Sequence, residues 1–362
     1  MKGQEKTQTM EFPHDLWGAM EKNEQVIACK WPKPCVYVLS EAEHDEVRSL
    51  CEEIPTPKMK ELDNSSLWQQ IYLLSDELPR NLRSFLSQFK LRSNEWGSVI
   101  VRNLPSDKGF VPTPATDDRF ANYDFGIFSK AIALLSARFG YPRAYRDEKN
   151  SLVLQPVYPK LGDEIKQENS SSLSFLEDHT EDGFLEEFCD FLLLGCVRPD
   201  QERMARTGVA CSWQAINKVE WKIIDVLRQP RFVVTAPSSF GGNAPLDSRP
   251  VPVLSGDPRR PKMIYDLAAM RGEDDVAKLA LKQFGEALRK VHYSEVLLSS
   301  DCLIVDNQTS AHTRSSFQPH FDEYDRWLLR LKLFSDPRAC ASNRLADSLM
   351  CGSIAFDMPI AP

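Results

Sequence analysis

The sequence contains no long hydrophobic segment. Its longest apolar runs, such as residues 191–196, have the length of a β-strand and fall far short of the roughly 20 residues that a membrane-spanning helix needs. The first residues, MKGQEKTQTMEFPHDLW, are polar and lack the apolar stretch of a secretory signal. We therefore expect a cytoplasmic protein that does not associate with membranes.

Paired cysteine motifs are also absent. The chain has nine cysteines, an odd number, at wide spacing and without a C-x-x-C motif. This pattern argues against a disulfide framework and against a structural zinc site. Cys189, Cys196 and Cys302 lie in apolar runs, where we expect them to be small core residues.

An excess of positive charge is missing as well. The formal net charge is -8 and the sequence pI is about 5.4, which disfavours a protein that tracks nucleic-acid phosphates and favours work on a small molecule. With 362 residues, 42% of them hydrophobic, the chain can bury a sizeable core. The sequence indicates no oligomeric state.

The pattern of the chain changes at about residue 150. Before this point helical and strand-like segments alternate, and Ser40 with Glu43 three residues later predicts a capping box at a helix start. After it, short β-prone runs are separated by turn clusters and interrupted by one clear helix at 274–293. Many short strands of this kind predict a mainly β fold with flanking helices around a double-stranded β-helix, or jelly roll.

The domain organisation follows from the same pattern. We expect a loosely ordered leader over residues 1–33, a single domain over 34–340 and a C-terminal tail over 341–362. Residues 236–248 are rich in Gly, Pro and Ser and are predicted to form a mobile lid.

Histidine is scarce, and two of the six histidines stand in patterns that suit a metal. In the segment DHTEDGF, His179 and Glu181 are two residues apart, so an extended strand would place both on one face. Two histidines and one carboxylate form the facial triad of non-haem Fe(II) oxygenases, which leaves positions open for an oxo acid and dioxygen. The tripeptide alone is common, and its acidic neighbours would equally suit a plain acidic loop.

A second histidine, His312, is followed by two arginines. Arg326 and Arg330 lie 14 and 18 residues after it, in the strand-like segment DRWLLRLKLF, and are expected to share one face. Arginine is rarely buried unless paired, and its planar fork suits carboxylates. The pattern therefore predicts two carboxylates near the metal, one from a cosubstrate and one from a substrate. The alternative is an internal ion pair with Asp306, Asp322 or Asp325.

These features resemble the clavaminate synthase-like group of Fe(II)/2-oxoglutarate-dependent oxygenases, and within it the free amino-acid hydroxylases of the arginine and asparagine type from antibiotic biosynthesis. The similar segments extend over roughly residues 36–340 and are GSVIVRNLP, LQPVYP, LEDHTEDGF, FLLLGCVRPD, SRPVPVLSG and IVDNQTSAHTRSSFQPHFDEYDRWLLR. The last block is the most specific. The resemblance implies a jelly-roll enzyme that binds Fe(II) and uses 2-oxoglutarate and O2 as cosubstrates.

The resemblance also implies a role for each matching residue. The implied metal ligands are His179, Glu181 and His312. The residues implied to hold the far carboxylate of 2-oxoglutarate are Arg326 and Thr207. The residues implied to bind the substrate are Arg330 at its α-carboxylate, Gln155 and Glu181 at its α-amino group, and Asp266 at its side chain.

Two departures from the family pattern bear on the substrate. Where the arginine hydroxylases carry acidic residues, this chain has Asp266 with Ile264 two residues before it, and the expected lid offers a single carboxylate, Asp247. The pocket is therefore expected to be less acidic than an arginine site. Glu181 argues against a halogenase, in which a small residue replaces the carboxylate so that chloride can bind the iron.

The resulting hypothesis is hydroxylation of an unactivated β- or γ-carbon of a free L-amino acid, arginine-like or otherwise basic or polar, in natural-product biosynthesis. Desaturation, cyclisation or a carrier-bound substrate remain open with the same cofactors. Two alternatives of other classes are a zinc hydrolase and a non-catalytic jelly roll that binds a metal.

Overall fold

The computed structural model describes residues 30–146, 148–237, 247–338 and 348–351. Most of the expected leader, the centre of the expected lid and most of the expected tail lie outside these residues.

Strands and helices alternate along the described chain. The strands are β1 (Val36–Val38), β2 (Ser98–Arg102), β3 (Tyr141–Pro142), β4 (Ala144–Tyr145), β5 (Gln155–Val157), β6 (Leu176–His179), β7 (Phe191–Arg198), β8 (Arg206–Cys211), β9 (Phe232–Val234), β10 (Leu254–Ser255), β11 (Lys262–Met263), β12 (Met270–Gly272), β13 (Tyr293–Val296), β14 (Cys302–Asp306), β15 (Ser310–Arg314), β16 (Trp327–Phe334) and β17 (Met350–Cys351). The α-helices are α1 (Glu41–Glu53), α2 (Ser65–Ser75), α3 (Arg80–Arg92), α4 (Asp117–Ala121), α5 (Ile127–Ala137), α6 (Ser212–Ala215), α7 (Trp221–Leu227) and α8 (Asp275–Lys290).

Two sheets form the centre of the fold. The larger has the strand order β1-β2-β14-β7-β16-β3, with β5 also paired to β16, and the smaller has the order β13-β8-β15-β6. All of these pairs are antiparallel except β1 with β2. The expected sheet-rich fold with flanking helices is confirmed.

Strand β16 separates the helical layer from the space between the sheets. Its leucines at 329, 331 and 333 are buried in one apolar cluster with side chains of α1, α2, α3 and α5. Because strand side chains alternate, Arg330 and Lys332 point to the opposite face, towards the smaller sheet. The alternation of apolar and cationic residues in β16 thus places two charges inside the fold.

The smaller sheet is covered on its outer face by α8. Ala210 of β8 and Ala311 of β15 pack in one buried cluster with Leu281 and Phe284 of that helix. On the inner face, Val209 packs with side chains of the larger sheet in a separate apolar cluster. The two sheets therefore face each other, and helices pack on both outer surfaces.

The helix start expected at Ser40 is confirmed. The backbone N–H of Glu43 donates to Ser40 Oγ at 3.3 Å, and the backbone N–H of Ser40 donates to Glu43 Oε2 at 3.0 Å. The helix expected over residues 274–293 is α8, where Asp274 accepts hydrogen bonds from the N–H groups of Val276 and Ala277. Side-chain caps thus satisfy backbone donors that a helix cannot bond internally.

The described cysteines are all buried and free, and the expected core positions of Cys189, Cys196 and Cys302 are confirmed. Burial raises the pKa of the Cys51 and Cys211 thiols to about 12. Among the described residues, no helix is long and apolar enough to cross a membrane.

Candidate active site

Three side chains with metal-binding atoms meet between the two sheets. They are His179 at the end of β6, Glu181 in the turn that follows and His312 in the middle of β15. One donor atom of each lies within 4.8 Å of the others. His179 and His312 are register partners of paired strands, with ring centroids 4.1 Å apart, and Nε2 of His312 lies 3.5 Å from Oε2 of Glu181.

The local geometry differs from the expectation in one respect. The prediction that His179 and Glu181 share one face of a strand is wrong, because β6 ends at His179. Glu181 lies in a turn whose next residue, Asp182, has a φ of +55°. The turn, and not strand alternation, brings the carboxylate beside the two imidazoles.

The hydrogen bonds and charges around the three side chains suit metal ligation. Nδ1 of His179 lies 2.8 Å from the carbonyl oxygen of Glu177; since a carbonyl only accepts, Nδ1 is the donor and Nε2 is the ring atom available to a metal. Burial, followed by the nearby His179 ring, lowers the pKa of His312 to about 3. Burial alone would raise the pKa of Glu181, but the cations of Arg330 and Lys332 outweigh it and hold that pKa below its usual range. Two imidazoles and one carboxylate are a donor set that fits non-haem Fe(II).

Arg326 is a buried cation without an anionic partner. Its side chain is 5% exposed, Nη2 donates to Thr207 Oγ1 at 3.0 Å, and its guanidinium lies 5.8 Å from the centroid of the Phe317 ring. Within the described part of the chain, no carboxylate oxygen forms an ion pair with it. A buried guanidinium of this kind fits a ligand carboxylate.

Arg330, by contrast, is fully engaged. Nη1 donates to Glu181 Oε1 at 2.7 Å, Nε donates to Gln155 Oε1 at 2.9 Å, and Nη2 donates to both Gln155 and Glu148. The alternative of an internal pair with a nearby aspartate is wrong, since the partners of Arg330 are two glutamates and a glutamine.

Glu148, Asp182 and Lys332 also belong to the site and were not predicted from the sequence. Lys332 is 1% exposed, and its Nζ lies 2.7 Å from Glu148 Oε2, 2.8 Å from Asp182 Oδ2 and 3.4 Å from Glu181 Oε1. The signal for Lys332 was present, because it lies two residues after Arg330 and strand alternation puts both on the same face. Glu148 carried no such signal, because it precedes β5 in an irregular segment.

A cavity of about 700 Å³ opens beside Glu181 and Arg330. Asp266 lines it; its Oδ1 accepts from the N–H groups of Ala268 and Ala269 at 2.9 and 2.8 Å, which leaves Oδ2 for a ligand. Burial raises the pKa of Asp266. Of the expected lid, residues 238–246 lie outside the described residues.

The one carboxylate expected from the lid is engaged at the cavity rim. Asp247 Oδ2 accepts from Arg271 Nη2 at 2.6 Å, and Oδ1 accepts from Thr235 Oγ1 at 2.7 Å. Arg271 and Thr235 line the cavity. Asp266 lines the cavity as well, and its backbone forms a β-bridge with that of His179.

Two facing sheets that enclose two histidines, one carboxylate and two buried arginines define the class of non-haem iron oxygenases. No protein-family model matches the chain. It is 32% identical to L-asparagine oxygenase of Streptomyces coelicolor over 76% of this chain and 82% of that protein, and 29% identical to clavaminate synthase 2 of Streptomyces clavuligerus over 81% and 90%. The crystal structure of asparagine oxygenase in complex with Fe(II), 2S,3S-3-hydroxyasparagine and succinate is 28% identical, with a TM-score of 0.81 over 88% of this chain and 99% of that chain.

The chain belongs to the family of Fe(II)- and 2-oxoglutarate-dependent oxygenases that contains asparagine oxygenase and clavaminate synthase. The resemblance inferred from the sequence motifs is confirmed. The zinc-hydrolase and non-catalytic alternatives are therefore wrong.

Proposed function

We propose that this enzyme hydroxylates an unactivated β- or γ-carbon of a free L-amino acid with a polar or basic side chain. Fe(II) is held by His179, Glu181 and His312, and 2-oxoglutarate and O2 are cosubstrates. The observation that carries the proposal is a pair of buried arginines: one donates a hydrogen bond to Thr207 on β8, the strand paired with that of His312, and the other donates one to Glu181.

The cosubstrate is held by the arginine that lacks an anionic partner. Arg326 and Thr207 take the far carboxylate of 2-oxoglutarate, because both are buried and already aligned by their mutual hydrogen bond. A charge-assisted contact of this kind fixes orientation as well as affinity. Iron in this site supplies the oxidation chemistry, in which one oxygen atom of O2 enters the amino acid and the other enters succinate as 2-oxoglutarate loses CO2.

Binding of the amino acid changes the partners of Arg330. Its α-carboxylate replaces Glu181 on the Arg330 guanidinium, and its ammonium group takes the released Glu181 Oε1 and Gln155 Oε1 as acceptors. Both ends of the zwitterion thereby gain a partner of opposite charge, so no buried charge is left unpaired. This exchange favours a free amino acid over a carrier-bound thioester, which has no carboxylate for Arg330.

Asp266 determines which side chain is accepted. It lines the cavity, and Oδ2, which takes no part in the bonds to Ala268 and Ala269, can receive an N–H group of an amide, an ammonium or a guanidinium. The contact with Asp266 is made by side-chain atoms that lie beyond the β- or γ-carbon that is hydroxylated. A product lighter by two hydrogens, or a ring, would identify desaturation or cyclisation at the same site.

We infer a double-stranded β-helix from the two facing, mostly antiparallel sheets, within one domain over residues 34–340. We also infer that the enzyme acts in the cytoplasm, on an amino acid of antibiotic biosynthesis.

The test is succinate formation from 2-oxoglutarate with Fe(II) and O2 and a panel of free L-amino acids: asparagine, arginine, citrulline and lysine. Each amino acid is paired with its α-carboxamide, which lacks the carboxylate that Arg330 needs. We expect succinate and a product heavier by one oxygen atom with at least one free amino acid and with none of the carboxamides.

His312→Ala, which removes one metal donor, is the inactive control and is expected to lose Fe(II) binding. Equal turnover of an amino acid and its carboxamide would refute the role of Arg330. Activity with zinc but none with iron would refute the oxygenase assignment.

A further inference from the structure

Arg314 on β15 is a third buried arginine next to the site, and it has no assigned role. Its side chain is 4% exposed. Its terminal nitrogens donate to the backbone oxygens of Ser171, Ser172 and Ser174 at 2.9, 3.0 and 3.0 Å, and Nη2 also donates to Ser171 Oγ at 2.6 Å. Arg314 therefore anchors one end of the loop formed by residues 163–174.

The 163–174 loop forms one wall of the amino-acid cavity. Its cavity-lining residues are Asp163, Gln167, Glu168, Asn169 and Ser170. Next to them the chain folds back tightly, because the N–H groups of residues 172, 173 and 174 all donate to Glu164 O at 2.9 to 3.2 Å. A displacement of this anchored end would therefore be transmitted to the cavity wall.

The guanidinium groups of Arg314 and Arg326 lie against the same aromatic ring. Their central carbons are 5.2 and 5.8 Å from the centroid of Phe317, and the N–H of Phe317 donates to Ser172 O at 2.9 Å. Neither guanidinium forms an ion pair with a carboxylate of the described residues. Both groups are buried and positively charged, and after burial the charge of Arg326 is the next cause that lowers the pKa of Arg314, so the two repel each other where little solvent can screen them.

We propose that Arg314 is a positioning residue that couples occupancy of the cosubstrate pocket at Arg326 to the order of the 163–174 loop. The inference rests on the function proposed above, in which Arg326 receives the far carboxylate of 2-oxoglutarate.

The physical basis is the change in charge at Arg326. Without an anion there, repulsion favours arrangements in which Arg314 moves away from Phe317 and releases the serine carbonyls of the loop. A bound carboxylate neutralises Arg326 and removes that repulsion, so the anchored arrangement is favoured. Because coupling between two sites is reciprocal, a bound amino acid that orders the loop also tightens the binding of 2-oxoglutarate.

The experiment measures hydrogen exchange of the loop amides. The Fe(II)-loaded full-length enzyme is kept anaerobic, with and without saturating 2-oxoglutarate, and binding of 2-oxoglutarate is first measured by calorimetry. We expect 2-oxoglutarate to slow exchange at Ser172, Leu173 and Ser174 by about fivefold or more in the natural enzyme, at the lower end of usual coupling strengths. In Arg314→Met the bound ligand should produce no slowing.

Two further variants make the result decisive. Arg206→Met is the matched control: Arg206 lies on neighbouring β8, its side chain bonds to Ser294 O, and the slowing should persist. Arg314→Lys keeps the charge but cannot reach all of the serine acceptors; it should show reduced slowing and serves if Arg314→Met does not fold.

Equal slowing in Arg314→Met and the natural enzyme, or bound 2-oxoglutarate without slowing in the natural enzyme, would overturn the coupling. Absence of 2-oxoglutarate binding to the natural enzyme would instead count against the proposed function, and calorimetry detects this before exchange is measured.

Discussion

Single residues of opposite charge set the geometry of the site through a small buried network. Arg330 and Lys332 project from one strand into a group of three carboxylates, those of Glu148, Glu181 and Asp182. Since Glu181 Oε1 is engaged by Arg330, Oε2 is left to point towards His312 and the metal position. Groups that bond the ligand's other oxygen commonly orient metal ligands in this way.

Replacing Arg326 should weaken the cosubstrate alone. We predict that Arg326→Met raises the KM for 2-oxoglutarate by about 10- to 100-fold, because hydrogen bonds to a charged group contribute about 1.5 to 3 kcal/mol, while the KM for the amino acid changes little. Steady-state kinetics of succinate formation provide the measurement. The control is Thr207→Ser, which keeps the hydroxyl. An unchanged 2-oxoglutarate requirement in Arg326→Met would show that the cosubstrate binds elsewhere.

Replacing Lys332 should leave Asp182 without its cation and Glu148 with only Arg330. We predict that Lys332→Met lowers the free energy of unfolding by about 3 to 5 kcal/mol, as expected when one partner of a buried ion pair is removed. Denaturant unfolding measures the loss. The double variant Lys332→Met with Asp182→Asn removes one negative charge as well and should recover part of the stability. If the double variant is as unstable as the single one, the loss comes from packing and not from charge.

At the scale of elements, β15 and β16 divide the functional residues between the two sheets. β15 carries His312 and Arg314 on the smaller sheet, and β16 carries Arg330 and Lys332 on the larger. In each strand the side chains at even-numbered positions point to the interior. The alternation of side chains in these two strands therefore places most of the cations of the site. The acidic side comes instead from turns and irregular segments, namely those around 148 and 181.

The first helix offers a test of a local sequence signal. We predict that Ser40→Ala lowers the free energy of unfolding by about 1 kcal/mol, because one half of the capping box is lost. Ser49 is the matched control, since it lies within the same helix and its Oγ bonds to Asp45 O; Ser49→Ala should change stability by less. Thermal or denaturant unfolding measures both. A larger effect at position 49 would contradict the capping argument.

At the scale of the whole molecule, the sequence indicated the class of fold and the two halves of the metal site, but not how they meet. Short runs with turn clusters were enough for a sheet-rich fold, whereas the two ligand carboxylates expected from the spacing of Arg326 and Arg330 after His312 stay a prediction. The position of Glu181 was not predictable from strand alternation, because β6 ends at His179 and Glu181 already lies in the turn that follows. Glu148 reaches Arg330 from 182 residues away in sequence, a contact that only the tertiary packing creates.

Stability of the whole molecule should depend on pH through Asp117. Burial raises its pKa, but the charges of Lys149 and Lys160 and the hydrogen bonds from Lys160 and Tyr158 outweigh this and hold the pKa below the ordinary 3.8. A folded-state pKa below the unfolded value gives stability that is fully present above about 3.8 and is lost as the pH falls through the folded-state pKa.

Asp117→Asn should therefore lower the free energy of unfolding by about 1 to 3 kcal/mol at neutral pH, and the difference from the natural enzyme should shrink below about pH 4. Denaturant unfolding across this pH range is the measurement. Asp124→Asn is the control, because Asp124 pairs with Lys58 at the surface, with side chains 62% and 45% exposed, and such pairs contribute little. A difference that stays constant down to pH 3 would exclude the ionised carboxylate as the cause.

The alternation of apolar and charged side chains in β16 also limits which insertions and deletions the strand can accept. One inserted or deleted codon within the strand would exchange its two faces, which would bring Leu329 and Leu331 to the metal and turn Arg330 and Lys332 into the apolar layer against the helices. A point substitution in β16 changes one side chain, whereas a change of length moves every side chain beyond it to the other face. Variation in substrate among descendants of this protein is therefore expected to arise through loops of changed length around the cavity, with β16 held at a constant length.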